Sequence, residues 1–160
     1  MNYSPIWRTP FLEDRHRDLA ERLLAWKIPD VDHEPEDFGP PVRTMLRALA
    51  AEGLLDLIIP APGQSPMAVD LRAICLVREV LAYRSGGLAD TSFVMQGIGT
   101  APIWLTGSEA RWAPYLERAR RGETIAAFAL TEPEAGSDVA NITTSATRDG
   151  QDYVLNGSKT

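Results

Sequence analysis

The spacing of apolar residues changes once along this chain, near Gly122, and that change limits the folds open to it. Before Gly122 the apolar residues recur at helical spacing. Leu19, Leu23 and Trp26 make one stripe, and Met45, Leu46 and Leu49 make another. After Gly122 the grammar becomes that of strands and tight turns. The spacing therefore predicts an α+β chain, with an all-helical domain over residues 1–122 and the start of a β domain over residues 123–160.

The helical part divides at its prolines and glycines. A first helix is expected over residues 11–27, ended by Pro29. The acidic stretch 31–38 reads as loop, and Pro40-Pro41 suits the first turn of a second helix that Gly53 closes. Residues 54–59 are apolar and ambiguous, and 60–66 read as loop. Residues 67–85 are so apolar that a helix buried on more than one side is expected. Gly86-Gly87 breaks it. Residues 88–98 read as the central helix, capped by Asp90 or Thr91 and loosened at its end by Gly97, Gly99 and Pro102. Ser108 is a suitable N-cap for a last helix bearing Trp112, Tyr115, Leu116 and Ala119.

Beyond Gly122, residues 124–131 are apolar at both alternating sets of positions, which predicts a strand covered on both faces. Then the chemistry changes. Pro133 cannot join a ladder, Gly136 opens backbone angles, and Ser137 and Asp138 bring a hydroxyl and a carboxylate. A strand thus delivers a turn whose amides and hydroxyls can face a ligand. Residues 142–147 and 153–155 predict two further strands, joined by the hairpin signal Asp149-Gly150, with another turn at Asn156-Gly157. So few strands make a poor independent sheet, so the β domain is expected to be cut off near Thr160.

Composition excludes several classes. The net charge of −6 over 160 residues argues against a general nucleic-acid or anionic-membrane surface. One cysteine permits no internal disulfide and suits a reducing, cytoplasmic compartment. No apolar run approaches the ~20 residues of a membrane helix. His16 sits among charges and is expected in solvent, and His33 lies in the acidic loop. Neither has a partner at metal-ligand spacing, so no metal is assigned. Cys75 on an apolar helix reads as packing. Gln96, in an apolar run, needs a partner from backbone, water or substrate. The Arg118, Arg120 and Arg121 cluster suits a helix C-terminus before it suits a phosphate.

The run Thr131-Glu132-Pro133-Glu134-Ala135-Gly136-Ser137-Asp138, followed by Gly150, Tyr153 and Asn156-Gly157-Ser158-Lys159, resembles the acyl-CoA dehydrogenase flavoprotein family. Upstream, Pro102-Ile103, Gly107-Ser108-Glu109, Tyr115-Leu116 and Gly122 are similar to the family's helical segment before that strand. The resemblance implies an N-terminal helical domain, a β-barrel-like middle domain, and a C-terminal helical bundle that these residues do not include. It implies FAD as cofactor and an acyl-CoA thioester as substrate, dehydrogenated between its α and β carbons. Phe128, Leu130 and Thr131 match positions that border the flavin. Gly136 and Ser137 match the turn that meets the FAD pyrophosphate and the thioester region. Val94, Met95 and Ile98 match a helix that lines the acyl pocket.

The family's catalytic base is a Glu of the C-terminal half, so no catalytic residue is assigned here, and the pattern gives Glu132 and Glu134 no such role. With half the flavin site outside them, these residues alone are expected to be inactive. An electron-transfer flavoprotein is the implied acceptor, and a homotetramer or homodimer the implied assembly. Two alternatives remain: a flavoenzyme of the same fold acting on an acyl-carrier-protein thioester or a small molecule, and a non-catalytic acyl- or partner-binding module.

Overall fold

The computed structural model describes residues 9–65 and 69–160. Pro66 of the expected loop and the expected helix start at Met67 lie outside the described residues. The described residues form five α-helices followed by a two-stranded antiparallel sheet. They divide into two compact units, Met1–Ala127 and Phe128–Thr160.

In the first unit, α1 is Asp14–Ala25, α2 Gly39–Ala51, α3 Leu71–Ser85, α4 Gly87–Thr106 and α5 Glu109–Arg120. The ambiguous stretch after α2 is a short 3-10 turn, Leu55–Leu57. Pro40 and Pro41 occupy the first turn of α2, where a missing N–H costs nothing, and the Asp37 carboxylate accepts the Gly39 amide at 2.8 Å. Asp70 caps α3 by accepting the Arg72 and Ala73 amides. Ser108 stands at the N-cap of α5, yet its hydroxyl makes no cap bond.

As expected, α4 is the central helix, and it packs against α2, α3 and α5. Its side chains and theirs make one apolar core, with Leu46, Leu49, Leu81, Phe93 and Leu116 essentially excluded from water. Each such side chain contributes about 1.5–3 kcal/mol of transfer free energy.

Several expectations are corrected in this unit. α4 does not loosen at Gly97 but continues through Pro102 to Thr106. Pro102 leaves the Ile98 carbonyl without its helical donor, and Ile98 is on an exposed face where water can supply one. Asp90 and Thr91 lie inside α4 and do not cap it, because the helix begins at the Gly86-Gly87 break. α3 is not buried on more than one side: Leu71 and Cys75 are exposed. The buried residues of α3 are Ala73, Leu76, Val77, Val80 and Leu81, and among the described residues Cys75 stands exposed beside them instead of packing in the core.

His16 is not in solvent but only 1% exposed. Its Nδ1 accepts the Glu13 amide at 3.0 Å, and its Nε2 lies 3.0 Å from the Asp70 carboxylate. An accepting Nδ1 leaves the proton on Nε2. His16 thereby occupies the third position of a capping box at the start of α1, which the local charge pattern conceals.

The second unit holds a 3-10 turn at Val139–Asn141, strand β1 at Ser145–Asp149 and strand β2 at Asp152–Asn156. The strands pair from Ser145 opposite Asn156 to Asp149 opposite Asp152, about a turn in which Gly150 takes φ +61°. That is the expected hairpin. Residues 124–131, however, are extended chain and not a ladder strand, and Ile125 and Phe128 are exposed instead of covered. No described strand lies beside them. Residues 142–144 also stay out of β1, because the Glu132 carboxylate takes the amides of Thr143 and Thr144. No described helix is long and apolar enough to cross a membrane.

Candidate functional site

The turn after Thr131 is built around one carboxylate. Glu132 and Ala135 exchange both backbone hydrogen bonds, at 3.0 and 3.1 Å, which folds Pro133 and Glu134 into a tight loop. The Glu132 side chain, 4% exposed, then reaches two distant segments. Oε2 accepts the Thr143 amide at 2.6 Å and the Thr143 hydroxyl at 2.9 Å. Oε1 accepts the Thr144 amide and the Lys159 ammonium, each at 2.9 Å. The Thr143 amide above all, with Thr144 and the Lys159 ammonium behind it, holds this carboxyl far below the ordinary glutamate range. Lys159 also donates to the Leu130 carbonyl at 3.0 Å, and the Thr160 amide to the Thr131 carbonyl at 3.0 Å. The start of the turn is thus pinned from three directions.

Its far side is open. The hydroxyls of Thr131 and Ser137 and the amides of Gly136 and Ser137 have no hydrogen-bond partner among the described residues, and all three residues are exposed. A Cβ on Gly136 would meet nothing within 4 Å. Phe128 presents its ring at 42% exposure, and Leu130 is half-buried. Asp138 is occupied: Asn141 donates to its carboxylate through Nδ2 and to its carbonyl through the amide. A pinned backbone with unspent donors and a bare glycine is chemically suited to an anionic diphosphate and a flat ring. These residues fit FAD on that ground.

A second feature belongs wholly to the helical unit. Between α3 and α4 runs an apolar groove of about 540 Å³, lined on α4 by Val94, Gly97, Ile98, Ala101 and Leu105 and on α3 by Leu71 and Ile74. Val94 and Ile98 are there together, one turn apart. Met95 does not line the groove. The opposite face of α4 carries Gln96, 1% exposed. Its Nε2 donates to the carbonyls of Ala119 and Thr124 at 3.0 and 2.8 Å, and its Oε1 accepts the Ala126 amide at 2.9 Å. The partner that Gln96 needed is therefore backbone. Gly99 lets that backbone lie close, for a Cβ there would stand 2.7 Å from the Ala127 nitrogen.

The arginines at the end of α5 are engaged by carboxylates. Arg120 pairs with Asp56 and Glu117, Arg121 with Glu117 and Glu123, and Arg118 with Glu123. That leaves no concentrated positive charge for a phosphate. Sequence reasoning missed the role of Glu132. The only local signal was an acid placed directly after an apolar run and followed, eleven residues on, by two threonines.

Comparison with known proteins covers nearly the whole chain. The model of the acyl-CoA dehydrogenase N-terminal domain matches residues 11–123, and that of the acyl-CoA dehydrogenase middle domain matches residues 127–160. The human mitochondrial very long-chain specific acyl-CoA dehydrogenase is 45% identical over 83 residues, which are 51% of this chain and 13% of that protein. A 3-(aryl)acrylate reductase of Clostridium sporogenes is 29% identical over 153 residues, 94% of this chain and 40% of that protein. In fold, the chain is similar to an acyl-CoA dehydrogenase of Geobacillus kaustophilus, with a TM-score of 0.67 and 24% identity over 95% of this chain and 40% of that one. The chain thus spans well under half the length of these relatives. Its two domain matches, which between them take in both the apolar groove and the pinned turn, make it a member of the acyl-CoA dehydrogenase family.

Proposed function

We propose that this chain is the N-terminal part of a FAD-dependent enzyme that dehydrogenates an acyl-CoA thioester between its α and β carbons. The observation that carries this reading is the turn at 131–138, pinned through Glu132 on one side and left with unspent donors on the other. Helical residues 1–122 supply the acyl groove, and residues 123–160 begin the flavin-binding β domain. Thr131 offers a hydroxyl to the flavin's pyrimidine edge, with Phe128 and Leu130 beside the ring. Gly136 and Ser137 offer amides and a hydroxyl to the pyrophosphate and the thioester region. Val94 and Ile98 hold the acyl chain, and Met95 flanks them. FAD, when bound, supplies the two-electron acceptor for the hydride leaving the β carbon.

Glu132 is not the base that removes the α-proton. A carboxylate that already accepts four hydrogen bonds and is held far below its ordinary range has no free lone pair to offer. The base belongs to residues outside this chain. An electron-transfer flavoprotein as acceptor, a cytoplasmic setting and a homotetrameric or homodimeric assembly complete the proposal.

The test is the visible absorbance of the flavin-loaded enzyme under anaerobic acyl-CoA. Bleaching is the expected result, and a protein that cannot be loaded with FAD would overturn the reading. A second reading is favoured by one comparison: the relative named a 3-(aryl)acrylate reductase matches 94% of the chain. On that reading the substrate is an aryl-substituted acrylate and the reaction runs toward reduction. Reoxidation of chemically reduced enzyme by 3-aryl acrylates, with no bleaching by any saturated acyl-CoA, would select it.

A further inference from the structure

Resting on the acyl-chain reading of the α3–α4 groove, we infer that the Arg78–Asp90 ion pair ends that groove and sets the longest straight acyl chain it admits. α3 and α4 form an antiparallel hairpin about Gly86-Gly87. At the far end of this hairpin the groove is lined by the exposed Leu71 and Leu105, and its lining runs back along α3 through Ile74 and along α4 through Ala101, Ile98 and Val94. One helical turn further toward the hairpin bend, the apolar series stops on both helices at once. Ile74 is followed at i+4 by Arg78, and Val94 is preceded at i−4 by Asp90.

These two side chains meet across the seam. Arg78 Nε donates to Asp90 Oδ1 at 2.9 Å, and a terminal guanidinium nitrogen donates to Oδ2 at 3.0 Å. The two-point contact fixes the geometry of both groups. Asp90 is mostly buried beside it, with 17% of its side chain exposed.

An alkyl chain lying in the groove gains transfer free energy with each methylene only while it displaces water from apolar walls. On reaching the ion pair it would have to strip water from two charges and would receive no hydrogen bond in return. The favourable length therefore ends there. From Val94 to Leu105 the α4 wall measures roughly 16 Å at the ~1.5 Å rise of a helix residue.

The test is the acyl-CoA chain-length profile of kcat/KM for the flavin-loaded enzyme. It compares the unsubstituted enzyme with the double variant Arg78→Leu, Asp90→Leu, which removes both charges and strands neither. For the first chain length beyond the unsubstituted cut-off, kcat/KM relative to shorter chains should rise about 10-fold or more. A merely structural pair would lower kcat/KM for all lengths together, and an unchanged profile overturns the inference. Should the double variant fail to fold, the neutral polar pair Arg78→Gln, Asp90→Asn carries the same expected direction.

Ile98→Trp, inside the groove, separates this inference from the reading beneath it. A profile that shortens with Ile98→Trp but ignores the ion-pair variants overturns the ion-pair inference alone. A profile indifferent to both removes the groove as the acyl site, and absence of turnover with every acyl-CoA removes both.

Discussion

The two units of this protein are held by opposite means. The helical unit has a continuous core in which Leu46, Leu49, Leu81, Phe93 and Leu116 are out of contact with water. In Phe128–Thr160, every residue of both strands is exposed, and the only buried residues are Glu132 and Ala135. Burial organises the first unit, so its stability is spread over many side chains and over few polar bonds. A single carboxylate organises the second, by collecting Thr143, Thr144 and Lys159. Damage should therefore be graded in the helices and local in the turn.

Phe93→Ala should produce the largest loss. Deleting a wholly buried ring costs about 3–5 kcal/mol, read as a shift in the denaturant midpoint of the helical unit. The exchange rates of the Ser145–Asp149 amides should stay as they were. If they rise in step, the contrast between the units is wrong. Gln96→Leu comes next. It keeps the volume but orphans the Thr124 carbonyl and the Ala126 amide, at roughly 1–3 kcal/mol for those left without water, while the Ala119 carbonyl keeps the Gly122 amide. Here too the denaturant midpoint is the measurement. An unchanged midpoint would mean that water satisfies both orphaned groups.

Glu132→Gln should leave the helical unit untouched and speed hydrogen exchange at the Thr143 and Thr144 amides, because a neutral amide cannot match an ionised acceptor. The same site predicts a pH dependence. Its folded-state pKa is depressed below the ordinary 4.5, so its contribution is complete above that value and is lost as pH falls from there toward the folded pKa. Protection of those two amides, corrected for intrinsic exchange, should be flat from pH 7 to 5 and decline below about 4.5. A decline that begins near neutrality would point to another group. Arg118→Ala should do least. Its pair with Glu123 is exposed, and such pairs contribute about 0–1 kcal/mol, so the midpoint should barely move.

The helices were legible because their order is local. The stripes Leu19–Leu23–Trp26 and Met45–Leu46–Leu49 state their periodicity within a few residues, and prolines and glycines mark most ends. Pro102 misled because a helix tolerates a proline wherever the freed carbonyl faces water, which no local pattern records. His16 misled for a similar reason: its partners are the Glu13 amide, nearby, and Asp70 on a different helix. The turn at Thr131–Asp138 was legible as a motif but not as a construction. Its long-range wiring spans from eleven to twenty-nine residues of sequence, and spacing rules do not reach that far. Val94 and Ile98 were readable as neighbours on one face, whereas the groove itself exists only once α3 lies beside α4.

The amide of Gln96 has a consequence for how this chain can vary. By joining Ala119, Thr124 and Ala126 it fixes the contour length of the connection between α5 and the extended segment. Gly122, inside that connection, turns with φ +66° where a Cβ would stand 2.5 Å from the Leu46 carbonyl oxygen. Surface connections ordinarily absorb insertions and deletions with little harm. This one cannot gain or lose a residue without unseating two helices at once, so among homologues it should keep a constant length even where its letters drift.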